Sequence, residues 1–394
     1  VLALEGITVV SLEQAVAAPL ATRHLADLGA RVIKIERVDG GDFARQWDGA
    51  VFGTGAHFVW LNRGKESIAL DLRQPAACEI VRQLVDGADV FLQNLAPGAA
   101  ARLGLGAEQL REGRPRLITV DMSGYGPGGP YSQKKAYDML VQSEAGLIAM
   151  TGTPETPAKT GVAAADIASG MYSLSGILAA IIRRGATGLG GHVEVNMFDA
   201  VVEWMGYPLY ATMHTGIAPP RAGLGHAAIV PYDAYPTAEG GQLMIGVQSD
   251  RGWATLAQEL LGRPELAQDP RFSTNELRAA NRQEVDALVA DATRTLPVAK
   301  LRQLLDAAGI PNAALNEVAQ VVTHPQLEAR DRWRDVQTPG GTMRAVLPPI
   351  TLDGPQARMG PVPALGAHTE ALLVELGYTT TRIEELRAEG AVGI

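Results

Sequence analysis

At 394 residues the chain is longer than one ordinary compact core, so two domains are expected. Hydrophobic side chains make up 46% and charged ones 20%, which excludes a disordered polymer; 43 acidic against 34 basic residues leave a net charge of −9, which argues against a nucleic-acid binder. The lone cysteine, Cys78, cannot close an intramolecular disulfide, which fits a reducing, cytoplasmic setting. The start, VLALEGITVV, lacks a basic region before a long apolar run and reads as no signal peptide.

The first elements form a β-α-β unit. ITVVSL (7–12) is a β-branched run that reads as a buried strand, 15–28 has helical spacing that ends at Gly29, and RVIKIE (31–36) is a second strand. That order predicts an α/β, Rossmann-like large domain with a parallel sheet. The first turn, Glu13 to Pro19, lacks GxGxxG, so a dinucleotide is rejected; Gln14 stands at the strand's C-terminal end, where open α/β sheets place ligands. Residues 38–72 read as a long glycine-rich loop with little regular structure. In it Trp47, Phe58 and Trp60 are candidate walls of an acyl pocket, and Arg45 and His57 are the candidate holders of a second substrate charge.

Further strands are expected at 66–72, 89–92 and 116–126, with a helix at 75–85 whose Pro75 suits a first turn. Asn94, like Gln14, follows a strand. Arg37, Arg73, Arg102 and Lys135 each follow a strand or flank a loop, and together they can line a groove for a polyanion such as coenzyme A. Helix 137–151 leads to 161–184, apolar nearly all round and so a buried helix, with a single carboxylate, Asp166, near its start. Asp166 reads either as a helix-end charge, kept ionised by the dipole and free N–H groups, or as a carboxylate at the floor of an active site. The apolar run 177–182 reads as too short to span a bilayer, so no membrane association is expected.

From about Pro219 the chain turns rich in Pro and Gly and reads as a linker into a smaller α+β domain with a strand at 242–247 and charged helices. The boundaries drawn are 1–210, 211–330, and 331–394 as a return to the large domain. The seven histidines show no HxxxH or Cys-His spacing, so no metal site is expected, and MSGYG around Ser123 is not a serine-nucleophile motif.

Taken in series, EGITVVSLEQAVAAPLATRHLADLGARVIKIE, GGDFAR, NRGKESIALDL, VFLQNLAPGAAARLG, ITVDMSGYGPGGP, KKAYDM, GVAAADIASGMY, GHVEVNMFDAV and GAHTEALLVELGY resemble the class III CoA-transferases, the family of formyl-CoA transferase and carnitine CoA-transferase, over nearly the whole chain. The resemblance implies Asp166 as nucleophile, Gln14 as the glutamine that orients it and its adducts, and Tyr137 and Trp47 as aromatics lining the site. It implies Leu70, Arg73, Asn94, Ala99, Arg102 and Lys135 as CoA contacts, with Arg37 and Leu95 as further candidates beside them. Val38 stands where formyl-CoA transferase has an arginine, and PYDAYPTAEGG replaces that enzyme's glycine-run lid, so substrate and lid are expected to differ.

The implied chemistry is CoA exchange between an acyl-CoA and a carboxylic acid through aspartyl anhydride and aspartyl-CoA intermediates, with CoA as substrate and product and no tightly bound cofactor. SLEQAVAAPLATRHLADLGARVIKIER, GDFAR and HFVWLNRGKES look most like the branch that handles C4 and C5 dicarboxylic acids. The family also implies an interlocked homodimer. Two alternatives stand: a racemase like the α-methylacyl-CoA enzymes, disfavoured because Tyr137 replaces their histidine base, and a CoA-binding protein without catalysis.

Overall fold

β1 (Thr8–Leu12) enters the core as an unbroken apolar run, and the polypeptide then alternates helix and strand: α1 (Ala17–Asp27), β2 (Arg31–Glu36), α2 (Ala56–Asn62), β3 (Lys65–Ala69), α3 (Pro75–Asp86), β4 (Val90–Gln93), α4 (Ala99–Arg102), α5 (Ala107–Arg111) and β5 (Ile118–Ser123). After β5 come α6 (Asp138–Glu144), α7 (Leu147–Met150), the long α8 (Ala164–Thr187), β6 (Gly191–Asn196), α9 (Met197–Trp204) and α10 (Gly206–Thr215). The structure, a computed structural model, describes residues 1–393.

All six strands pair in parallel in the order β3-β2-β1-β4-β5-β6. Strand order therefore reverses between β1 and β4, and the crevice outside their carboxyl ends is where such sheets take ligands. One face of the sheet packs Val10, Ile33, Ile68 and Phe91 against α3 and against the chain's last helices, through Leu372, Leu373, Ile383 and Leu386. The other face packs Val9, Val32, Leu92 and Val120 against α1 and α8, through Leu25, Leu174 and Ile177.

Two compact units result. The first holds Val1–Leu147, Thr160–Tyr207 and Leu327–Ile394; the second holds Ile148–Lys159 and Pro208–Gln326. In the second, an antiparallel sheet of β7 (Tyr232–Pro236), β8 (Gln242–Gly246) and β9 (Asn312–Ala314) packs on helices around buried Trp253, Phe272 and Leu301. Strand β7 arises within the stretch expected to be a linker, and α2 within the stretch expected to be irregular. Helix α2 starts at Gly55, where any Cβ would lie 2.1 Å from the Ala44 carbonyl oxygen. A glycine needed for close approach was thus mistaken for a loop residue.

α8 runs 24 residues, as long as the helix expected at 161–184 but set three residues further on, and is long and apolar enough, by length and composition alone, to cross a membrane, although the run 177–182 by itself was read as too short. Its role here is packing against α1 and the sheet. At the crossing, a Cβ on Gly170 would stand 2.7 Å from the Ala17 carbonyl oxygen and about 3.1 Å from the Leu20 side chain. Gly170→Ala gains about 1 kcal/mol of helix propensity but overpacks a backbone contact at about 1–3 kcal/mol. A net loss of stability is expected in urea denaturation; a gain would show that the two helices can part without cost.

Candidate active site

The C-terminal ends of β1 and β4 are tied directly. The Gln14 N–H donates to Asn94 Oδ1 at 3.0 Å, and Asn94 Nδ2 donates back to the Gln14 carbonyl at 2.9 Å. Asn94 is thus a clasp across the point where strand order reverses, and its amide is spent on backbone. Next to it Ala15 takes φ 67, an uncommon left-handed conformation for a residue with a Cβ.

A cavity of about 410 Å³ opens at these strand ends. Its walls include Gln14, Arg37, Leu70, Arg73 and Leu95, so five of the expected site residues meet there. Arg37 donates to the Gly41 carbonyl at 3.1–3.2 Å and Arg73 pairs with Asp71 at 2.8 Å, both side chains largely exposed at the rim. Ala99 and Arg102 begin and end α4, entered through Gly98 at φ 72; neither lines the cavity, though their neighbour Leu103 does. Lys135 is exposed on the loop before α6. A smaller cavity of about 240 Å³ lies at the opposite, N-terminal ends of the strands beside Leu2, His24 and Asp27.

Asp166 lies in the first turn of α8. Val16, Leu20 and Leu61 pack with Ala163, Ile167 and Met171, so the turn after Gln14, helix α2 and the start of α8 share one cluster. The free N–H groups expected to keep Asp166 ionised are already taken. Asp138 Oδ1 accepts from the Ala165 and Asp166 N–H groups at 2.8 and 3.2 Å, while its Oδ2 accepts from Gln142 at 2.6 Å. Burial, and then the Asp138 charge, push the Asp166 carboxyl up to about 7. Among the described residues no cation pairs with it, whereas the buried Glu13, Asp27, Glu36 and Asp42 each hold one.

Asp138 was missed in the sequence because it follows the more conspicuous Tyr137, and because the helix it caps begins 26 residues later. Asp138→Asn keeps an oxygen acceptor for the helix N–H groups and removes the nearby charge. The acidic limb of the pH–rate profile is expected to move to lower pH; an unmoved limb would show that burial alone sets the Asp166 proton affinity.

Tyr137 immediately precedes α6 and is 69% exposed. Trp47 packs edge-on against His57 at 5.1 Å between centroids, with Phe43 and Trp60 at the flanks. His57 and Leu61 are four residues apart on α2, so His57 shares the face that meets the Asp166 turn.

Arg45 and Phe58 are corrected. The Arg45 guanidinium grips both oxygens of buried Glu36 at 2.7 and 2.8 Å, donates to the Pro363 carbonyl and stacks 3.7 Å over Phe58. A buried Glu36 needs a cation, so Arg45 has none to spare for a substrate. Phe58, with 0% exposure, is core, packed with Ala44, Val59 and Val336. Also missed was the reason for lysines inside the sheet. Lys34 lies between Ser11 and Ser67 in register, and with Lys65 it sits fully buried under the Gln14 turn. A lysine within the apolar run VIKI was the available signal.

Residues 4–369 match the CoA-transferase family III. The chain is 35% identical to succinate–glutarate CoA-transferase of Agrobacterium fabrum, over 95% of each chain. It is 32% identical to succinyl-CoA–D-citramalate CoA-transferase of Chloroflexus aurantiacus, over 99% of this chain and 98% of that one. Its fold superposes on a crystal structure of a CAIB/BAIF family protein from Brucella suis with a TM-score of 0.83 at 35% identity, covering 95% and 99% of the two chains. A parallel sheet with a ligand crevice at its switch point, an unpaired carboxylate at the head of its longest helix and full-length likeness to these enzymes lead to one conclusion: the chain belongs to CoA-transferase family III and moves CoA between an acyl thioester and a carboxylic acid.

Proposed function

We propose that the acids exchanged are C4 or C5 dicarboxylates and that Asp166 carries the CoA exchange. The observation that carries the second part is the Asp166 carboxylate itself, partly buried and without a cation, where the other buried acids of its unit are paired. Such a group keeps lone pairs free to attack. Its oxygen adds to the thioester carbonyl, the C–S bond breaks, and CoA thiolate leaves an acyl-aspartyl anhydride. The thiolate then attacks the aspartyl carbonyl, releases the first acid and leaves aspartyl-CoA. The acceptor carboxylate reverses both steps, so each bond made is matched by one broken. In this reading the Gln14 amide donates to the oxyanions that form along the way. The cavity with Arg37 and Arg73 at its rim is the proposed CoA groove, with Leu70 and Leu95 on its walls and Asn94, Ala99, Arg102 and Lys135 around it.

Dicarboxylate use rests on the acids in the relatives' names, succinate with glutarate and succinyl-CoA with D-citramalate. With Arg45 committed to Glu36, His57 becomes the proposed basic partner of the distal carboxylate, beside Trp47, and Tyr137 is kept as a proposed further wall on the resemblance alone. A homodimer, interlocked in the family's manner, is part of the same reading. Its support is the apolar side chains left open on α6, α8 and α9 of the first unit: Met139, Leu140, Ile182 and Trp204 are each about half exposed or more. A cytoplasmic location is proposed with it.

The test is a panel of dicarboxylic and aromatic acids offered with succinyl-CoA, read by mass, with hydroxylamine added during turnover. New CoA thioesters of C4 or C5 diacids and a hydroxamate at Asp166 are expected. Exchange with aromatic acids alone would overturn the substrate reading, and a hydroxamate on another residue would overturn the role of Asp166.

A further inference from the structure

Three consecutive residues at the end of β1 have their backbone fixed from below and beside, and only one side chain is left free. Lys34 Nζ donates to the Glu13 carbonyl at 3.3 Å. Gln14 has both its N–H and its carbonyl bound by Asn94. The Ala15 N–H, turned into the left-handed region, donates to Asp42 Oδ1 at 3.1 Å. The two outer anchors are one ion pair: Lys34 Nζ meets Asp42 Oδ2 at 2.9 Å, with both side chains fully buried.

This pair is locked in turn. Asp42 Oδ1 also accepts from the Ala44 N–H, and the Asp42 N–H donates to Glu36 Oε2, the oxygen that Arg45 holds. Lys34 reaches Glu13 Oε1 at 3.4 Å, and Lys65 holds the same oxygen at 2.7 Å. Glu13, Glu36 and Asp42 thus balance Lys34, Lys65 and Arg45. Burial by itself opposes every one of these charges, so the set holds only while each member keeps its partner. An alanine at positive φ costs roughly tenfold in population relative to its ordinary conformation, and it needs such an anchor to persist.

We propose that Lys34 and Asp42 are positioning residues for CoA transfer: they hold the Glu13–Ala15 turn, and with it the Gln14 amide, in the geometry that serves the Asp166 adducts. Lys34 is not among the cavity's lining residues, and Asp42, which is, has both carboxylate oxygens taken by Ala15, Ala44 and Lys34, so the effect of the pair runs through the left-handed Ala15. The inference rests on the reading of Asp166 and Gln14 given above. It predicts a loss in turnover rather than in CoA binding, because the cavity's rim residues, Arg37 and Arg73, are anchored to Gly41 and Asp71.

The experiment measures kcat and KM for succinyl-CoA in wild type, Asp166→Ala, Asp42→Ala and Asp42→Ala/Ala15→Gly. Asp42→Ala is expected to lower kcat about 100-fold with KM within threefold. Glycine adopts the left-handed turn without the Cβ penalty, so the double variant is expected to regain about tenfold in kcat. A purely structural role for Asp42 predicts no rescue, and absence of rescue overturns the proposal. Ala15→Val lies outside the charge network and covers the case in which Asp42→Ala fails to fold. It places a β-branched residue at positive φ, and is expected to lower kcat at least tenfold at constant KM; wild-type kcat in it overturns the proposal. Transfer that survives Asp166→Ala instead overturns the underlying reading of the site, whatever the other variants do.

Discussion

Asp166→Asn is expected to abolish CoA transfer while making the protein more stable at alkaline pH. The amide cannot attack a thioester, and loss of a covalent nucleophile costs about 10⁴-fold or more in kcat. The stability effect follows from the proton. The carboxyl is raised from 3.8 to about 7 by burial and by Asp138. A carboxyl that holds its proton more tightly folded than unfolded favours folding at low pH, and that advantage is lost as pH rises from about 4 to about 7. At about 1.4 kcal/mol per unit, the ionised side chain costs the native state up to about 4 kcal/mol above pH 7, and less once water and side chains relax around it. Asparagine carries no such charge. Urea denaturation of both proteins near pH 5 and pH 8 checks this: the variant's advantage must grow with pH. Equal stabilities at both pH values would show that Asp166 is ordinarily solvated, and would remove the basis for treating it as a poised nucleophile.

Glu13→Ala is expected to give the largest destabilisation of any single truncation near the site, about 3–5 kcal/mol. Its carboxylate faces Lys65 at 2.7 Å and Lys34 at 3.4 Å and accepts from Thr22 at 2.6 Å, all buried. Burial works against its charge, yet the two ammonium groups hold its carboxyl below the usual range. Removing it leaves buried Lys65 without a carboxylate beside Lys34, which keeps Asp42. Lys65 is already pulled down by burial, against the upward pull of Glu13. Without Glu13 it falls further, so the folded variant prefers the neutral amine while the unfolded chain keeps the ordinary value of 10.5. The unfolded state then binds more protons, and stability rises with pH up to that value. Wild-type Lys65, already at about 7, shares that rise above pH 7, so the deficit is expected to be larger near pH 5.5 than near pH 8, and Glu13→Ala/Lys65→Met to recover most of it. A deficit independent of pH, or no recovery in the double variant, would show that packing and not charge is at stake.

Much of the sheet could be read from short apolar runs. ITVVSL and RVIKIE lie side by side in parallel because both are buried on two faces and so cannot alternate. The carboxylate at the head of the apolar helix was visible because a lone acid stands out there. What could not be read was long-range satisfaction. Glu13 meets Lys65 across 52 positions, and Asp138 reaches the N–H groups of a helix on the far side of a whole excursion of the chain. Arg45 was misjudged for the same reason: in a glycine-rich stretch it resembled a solvent-facing charge, and only the fold reveals that Glu36 requires it. Helix α2 was hidden by Gly55, whose missing side chain serves a close contact and not a bend.

The three acids and three bases beneath Gln14 have a consequence for how charge moves above them. In the proposed exchange a negative charge shuttles between sulfur and oxygen at each step, forward and back. A solvent would have to reorient each time, and that lag adds to every barrier. Here the underlying acids and bases are paired, fixed by mutual contact, and shut away from water. Held in this way, they do not swing to follow the travelling charge. The reorganisation energy of the protein floor is thereby kept low for all steps alike, which suits an enzyme whose forward and reverse half-reactions are the same chemistry.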